Sequence, residues 1–201
     1  MKQTFSDVVK TLVLAAALFF VVQALLQNFE VFGASMEPSV QSGEHILVNK
    51  AAYLSLDLDR VSKFIPFYDP EKELQLFGEP ERGDVVVFKS PNPPPKRLIK
   101  RIVGLPGDTI EIRAGALYIN GQRIEEPYTT GAADDSLSPR VVPEDHYFLL
   151  GDNRNQSNDS RNPEIGPVHR SNIVGKAWLS YWPLGDFGFV DAHSIEMSPT
   201  Q

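Results

Sequence analysis

From Val8 to Leu26 the chain reads VVKTLVLAAALFFVVQALL, its single long apolar run. As a helix this stretch would cover roughly 28 Å, about the hydrocarbon thickness of a bilayer, so the rest of the chain is expected to fold beside a membrane. Lys2 and Lys10 lie at or before the start of the run, whereas Glu30, Glu37 and Glu44 follow it. That asymmetry keeps the N-terminus cytoplasmic and puts everything beyond the run on the outer (periplasmic, extracellular or lumenal) side of a cell or internal membrane. A cleaved secretory signal shares the same basic start and apolar core, and Val31-Phe32-Gly33 would serve as its cleavage site.

The 201 residues allow a membrane anchor plus one domain of ordinary size. A formal charge of −7 argues against nucleic acid, because phosphate binding needs a basic surface. Polypeptide and small molecules are left as partners. With no cysteine there is no disulfide framework, thiolate nucleophile or Cys-based zinc site. The four histidines, His45, His146, His169 and His193, are too scattered for metal-ligand spacing, so neither metal nor cofactor is expected.

Beyond the run, β-rich stretches alternate with turn signals: His45–Asn49, Asp84–Lys89, Leu98–Gly104, Thr109–Arg113, Tyr147–Leu150 and Ile173–Trp182. These predict a mainly β domain. Asn120-Gly121 between Leu117 and Ile124 predicts a tight hairpin, since both turn residues tolerate positive φ. Tyr53–Pro80 and Pro91–Pro95 are expected to be connections, and Gly131–Arg140 a polar, turn-rich close to a small excursion beginning near Glu111. Trp178, Trp182, Phe187 and Phe189 are expected either at the lipid interface or in the core.

Ser35 follows Gln27 by only eight residues, which places a candidate nucleophile at the membrane surface. A hydroxyl needs a base to take its proton. No Gly-x-Ser-x-Gly elbow or histidine signature is present, and Pro38 occupies the third position after Ser35 where a Ser-x-x-Lys motif needs lysine. Lys100 interrupts the apolar strand Leu98–Gly104 and shares a face with Leu98 and Ile102, while Arg101 points the other way. An ammonium among apolar neighbours loses stability relative to the amine, and its pKa falls toward the range useful to a general base. A lysine snorkelling from a strand edge and a turn-forming serine are the plainer alternatives.

The loop Gly151–Arg161, GDNRNQSNDSR, packs short polar side chains and paired charges directly after an apolar strand. Asp152 with Arg154 and Asp159 with Arg161 are expected ion pairs, and Ser157 a donor to a neighbouring amine.

Taken together, SMEPS at Ser35–Ser39, RGDVVVF at Arg82–Phe88, KRIVGLPGD at Lys100–Asp108 and GDNRNQSNDSR resemble, in order, the conserved boxes of bacterial type I signal peptidase. The resemblance implies an antiparallel β catalytic domain with a small inserted β domain, preceded by one transmembrane helix. Its expected divisions are an anchor at 1–27, a catalytic domain at 28–110 and 141–192, an insert at 111–140 and a tail at 193–201.

It further implies Ser35 as nucleophile, Lys100 as general base, Ser157 orienting Lys100, and Asp159 and Arg161 structuring the site. The Ser35 backbone N–H would be one oxyanion donor. Many relatives place a serine two residues before the nucleophile as the second donor, and this chain has Gly33 there. Phe29, Val31, Ile46, Val87 and Ile99 would line one substrate pocket, and Met36, Val40 and Leu98 another. The implied partners are the signal peptides of exported preproteins, with small residues at the first and third positions before the cut, together with the lipid bilayer and the secretion machinery. A self-cleaving Ser/Lys protease and an anchored, non-enzymatic β module remain as competing readings.

Overall fold

The structure, a computed structural model, describes residues 2–53, 78–131, 135–190 and 193. Most of Tyr53–Pro80 and of the 193–201 tail lies outside the described residues.

The apolar run forms helix α1, Lys2–Leu25. Within it, Ser6–Leu25 has a mean hydropathy of 2.3 and nothing buried against the rest of the chain, so by length and composition it is able to cross a membrane. The helix stops earlier than the run does. Leu26 already belongs to β1, Leu26–Glu30, which pairs antiparallel with β2, His45–Asn49. Hydrophobicity alone does not show that boundary, because Leu26 is equally at home in a helix or a strand.

Ten further strands follow in chain order: β3 Val85–Lys89, β4 Arg97–Gly104, β5 Thr109–Arg113, β6 Ala116–Ile119, β7 Gln122–Arg123, β8 Leu137–Val141, β9 His146–Leu150, β10 Val168–His169, β11 Ile173–Trp182 and β12 Gly188–Phe189. They form two sheets. The larger has the order β1-β2-β11-β3-β4-β9-β10, with β12 on β11, and every pairing in it is antiparallel. The smaller has the order β7-β6-β5-β8.

Strand β3 explains why Val85–Phe88 reads as a continuous apolar run: both of its faces are covered. Val85 and Val87 face a cluster with Met36, Val40, Ile46 and Val48, whereas Val86 and Phe88 face Ile102, Leu149 and Val168. Burying a side chain of this kind fully contributes roughly 1.5–3 kcal/mol relative to leaving it exposed, so β3 fixes the wall from which the site is hung.

In the small sheet the Asn120-Gly121 turn has both residues at positive φ, 52° and 82°, and sets Ile119 opposite Gln122, as the sequence predicts. The polar Gly131–Arg140 stretch departs from expectation. Leu137–Val141 is a strand, and it tolerates Pro139 because β8 is the sheet edge, where a missing N–H breaks no ladder. The sheet therefore runs from Thr109 to Val141, wider than 111–140. It packs Ile110, Ile112, Leu117 and Ile119 with Val103, Phe148 and Leu150 from the large sheet, so the two sheets share a core. Trp178, Trp182, Phe187 and Phe189 are all exposed rather than core residues.

Candidate active site

Three segments meet at Ser35. The serine lies in the turn after β1, which the Val31 N–H to Glu44 O bond (2.8 Å) ties to the start of β2. Strand β4 brings Lys100, and the loop after β9 brings residues 151–161. The Asn153 N–H donates to the Ser35 carbonyl at 3.1 Å, docking that loop on the Ser35 turn.

Lys100 is 2% exposed. Its Nζ lies 2.5 Å from Ser35 Oγ and donates also to the Ile99 carbonyl at 2.6 Å. Burial lowers its pKa to about 8, against the opposing pull of the Asp159 and Asp152 carboxylates and with a smaller push from Arg161. Opposite Lys100 in the ladder stands the buried Val86.

Loop 151–161 is built around Asp159. One carboxylate oxygen accepts the Gly151 N–H at 3.1 Å, and the pair together receive Arg161 Nε at 2.8 Å and Nη2 at 2.9 Å. Arg161 also reaches Asp135 and the Arg154 carbonyl. Gly151 is where the loop comes closest to the serine. A Cβ there would lie 2.5 Å from the Ser35 carbonyl oxygen and 2.5 Å from Ser157 Cβ. Ser157 Oγ is buried in this contact and has no hydrogen-bond partner among the described residues.

The expected Asp152–Arg154 pair does not form. Asp152 instead makes a two-pronged ion pair with Arg101, Nε to Oδ1 at 2.9 Å and Nη2 to Oδ2 at 2.7 Å, with both side chains essentially fully buried. Arg154 pairs with Glu126. Proximity in sequence favoured the wrong partner because Arg101 approaches across the β4–β9 ladder. Its guanidinium also holds the Gly83 carbonyl (2.8 Å) and Ser39 Oγ (3.3 Å), and lies 4.2 Å from the centre of the Tyr128 ring. Arg101 thus joins the Ser35–Ser39 turn, loop 151–161 and the core beneath the small sheet, where Tyr128 packs. Its direction, opposite to Lys100, was legible in the strand alternation; its partners were not.

Thr130 was also missed. It forms a parallel bridge with Asn153 and donates its hydroxyl to the Glu37 carbonyl at 3.1 Å. At Gly33 (φ +90°) the backbone N–H is taken by Ser42 Oγ at 3.1 Å, whereas the Ser35 N–H has no acceptor among the described residues. Of the eight expected pocket residues, Phe29, Val31, Met36, Val40, Ile46, Val87 and Ile99 fall in one apolar cluster. Leu98 does not: it packs on the other face of β3 with Val86, Phe88 and Ile102, as the alternation along β4 requires. No group of three or more His, Asp or Glu side chains with the spacing to hold a metal occurs among the described residues.

A serine hydroxyl held by a buried amine, on a β scaffold behind an apolar helix, has the chemistry of the peptidases that attack with serine. The family described as signal peptidase, peptidase S26, matches residues 5–182. A signal peptidase I of Pseudomonas aeruginosa is 38% identical over 79% of this chain and 66% of that one. A probable signal peptidase I-2 of Synechocystis is 29% identical over 98% of this chain and 84% of that one. Signal peptidase I P of Bacillus subtilis subsp. natto is 34% identical over 91% and 92%. The crystal structure of a signal peptidase I from Enterococcus faecalis aligns at 36% identity with a TM-score of 0.43, over 49% of this chain and 97% of that one, a likeness too loose to bear on the architecture. The chain belongs to the signal peptidase family, peptidase S26. It spans 66% of the length of the Pseudomonas aeruginosa relative.

Proposed function

We propose that this chain is a membrane-anchored serine endopeptidase that removes signal peptides from exported preproteins, with Ser35 as nucleophile and Lys100 as general base. The observation that carries the reading is the 2.5 Å contact between Ser35 Oγ and a buried Nζ whose pKa is lowered to about 8. The neutral amine takes the serine proton as Oγ attacks the scissile carbonyl. The resulting ammonium returns that proton to the leaving amine, which leaves an acyl-enzyme. A water then gives a proton to the same amine and attacks the ester carbonyl; the acyl–Oγ bond breaks, the ammonium returns the proton to Ser35 Oγ, and the carboxylic acid leaves with the enzyme regenerated.

The unengaged Ser35 N–H is the first oxyanion donor in this scheme. Ser157, whose buried hydroxyl has bonding capacity to spare beside Gly151, is assigned to orienting the amine, and Asp159 with Arg161 to holding the loop. The cluster of Val31, Met36, Ile46 and Val87 supports tight apolar subsites that admit only small side chains, which reject larger ones by overlap. Lys2 and Lys10 in the first turns of α1 and the acidic residues after it support an N-terminus in the cytoplasm and a β domain outside.

Ser35→Ala and Lys100→Ala, each incubated in detergent with a preprotein beside the wild type, are expected to fold, insert and release no mature protein. Cleavage retained by either would overturn the dyad. Fragments of the purified chain accumulating on its own would instead favour a self-cleaving protease.

A further inference from the structure

The β3–β4 hairpin carries a charge pattern at odds with the rest of the chain. Against a formal charge of −7, the stretch from Val85 to Gly107 has no acidic residue and five basic ones: Lys89, Lys96, Arg97, Lys100 and Arg101. The last two are buried in the site. The other three are exposed at the hairpin tip, and none has an acidic partner among the described residues. The turn between the strands is stiffened by Pro91, Pro93, Pro94 and Pro95 and closed by the Ser90 N–H to Lys96 O bond at 2.7 Å, so the charges are displayed on a short rigid loop.

The topology says where that loop points. β1 leaves α1 directly, so its Leu26 end is the end nearest the bilayer. From β1 through β2, β11 and β3 to β4 every pairing is antiparallel, hence β4 runs in the sense of β1 and the β3–β4 turn lies at the end of the sheet where β1 begins. A direct contact agrees with this. The Arg97 guanidinium sits 5.4 Å from the centre of the Phe29 ring, and Phe29 is three residues past Leu26, about 10 Å along a strand. Lys96 and the turn lie on the helix side of that contact. This is the depth of a headgroup layer, which adds about 5–8 Å to each side of the hydrocarbon.

We propose that the β3–β4 tip docks on anionic lipid headgroups through Lys89, Lys96 and Arg97. The proposal rests on the reading of α1 as a bilayer anchor. An acidic domain would otherwise be repelled from such a surface, and three cations on one loop turn that repulsion into an orientation. The tip is continuous with Lys100 three residues further along β4, so its docking sets the height of the dyad above the membrane.

The absence of cysteine makes a single reporter clean: Asn92→Cys in the full chain, labelled with an environment-sensitive fluorophore and incorporated into vesicles with a headgroup-nitroxide lipid as quencher. One vesicle set is phosphatidylcholine alone; the other includes phosphatidylglycerol. Each basic residue near an anionic surface favours docking by about fivefold, so quenching is expected to be severalfold stronger with phosphatidylglycerol and to fall to the phosphatidylcholine level in the K89E/K96E background or at high salt. Cleavage of a soluble peptide should be unchanged by K89E/K96E.

Quenching that ignores lipid charge, or survives charge reversal, overturns the docking. So does an equal probe response to inorganic phosphate added to phosphatidylcholine vesicles, which would mark a free-anion site. Flotation of the chain with both vesicle types keeps the two ideas apart. A chain that floats without composition-dependent quenching loses only the tip proposal, whereas a chain that fails to float loses the anchor as well.

Discussion

At the scale of the residue, the proposed role of Lys100 as general base ties catalysis to stability through one proton. Its burial lowers the pKa to about 8 from an ordinary lysine value of 10.5. At pH 7 about one molecule in ten then carries the neutral base, against fewer than about one in a thousand for an exposed lysine. The rate of cleavage should therefore climb about tenfold per pH unit below 7 and level off above about 9, a profile read directly from kcat/KM against pH. A profile governed by a group titrating near pH 4 would refute the assignment. The same shift has a stability cost of known sign. Between about 8 and 10.5 the unfolded chain holds a proton that the folded chain has released, so stability rises with pH across that window; below it the whole penalty applies, about 3 kcal/mol. Lys100→Met should consequently unfold at a higher temperature than the wild type at pH 7, with the gap narrowing toward pH 10. An unchanged or lower Tm at pH 7 contradicts the desolvation account.

At the scale of the element, the site depends on how closely loop 151–161 can approach the serine turn. Gly151→Ala places a methyl 2.5 Å from a backbone carbonyl oxygen, which cannot swing aside as a side chain would. The loop must lift, and with it the Asn153 N–H that holds Ser35 O. We expect peptidase activity to fall at least about a hundredfold while both apolar cores stay intact, as activity and thermal unfolding measured together would show. Asp152→Ala removes the carboxylate that faces the buried Arg101 guanidinium, which costs about 3–5 kcal/mol; Asp152→Asn keeps the shape and should recover part of that in denaturant titrations. These two positions mark how far the sequence could be read. Ser35, Lys100 and the polar loop were legible because each breaks a local pattern: a hydroxyl just past an apolar run, a charge inside an apolar strand, a dense polar run after one. The Asn120-Gly121 turn was legible for a similar reason, its conformation being set by two adjacent residues. Arg101–Asp152 and Thr130–Glu37 were not, since each joins segments far apart in the chain and nothing near Asp152 distinguishes Arg101 from the adjacent Arg154. Leu98 shows the converse case. The alternation that assigns Lys100 to the face of Leu98 and Ile102 already separates Leu98 from Ile99, whereas its grouping with Met36 comes from the family resemblance alone.

For the whole molecule, the question is what α1 contributes. None of its described residues belongs to any of the three apolar clusters, and no residue of Ser6–Leu25 is buried. The β domain, with two sheets sharing a core through Val103, Phe148 and Leu150, has no packing debt to the helix. Removing residues 1–25 should therefore leave Tm and the cleavage of a short soluble peptide nearly unchanged. Substrate embedded in a bilayer presents a different problem. An anchored enzyme meets it in two dimensions at a fixed height, and tethering of this kind raises the effective concentration to the millimolar range. We expect the shortened chain to lose at least about a hundredfold in kcat/KM on a preprotein inserted in vesicles while keeping its activity on the peptide. Equal losses on both substrates would mean that the helix holds the dyad in shape. No loss on either would mean that the β domain finds the membrane unaided, and the exposed Trp178, Trp182, Phe187 and Phe189 would then be the surface to test, by replacing them in the shortened chain and repeating the vesicle assay.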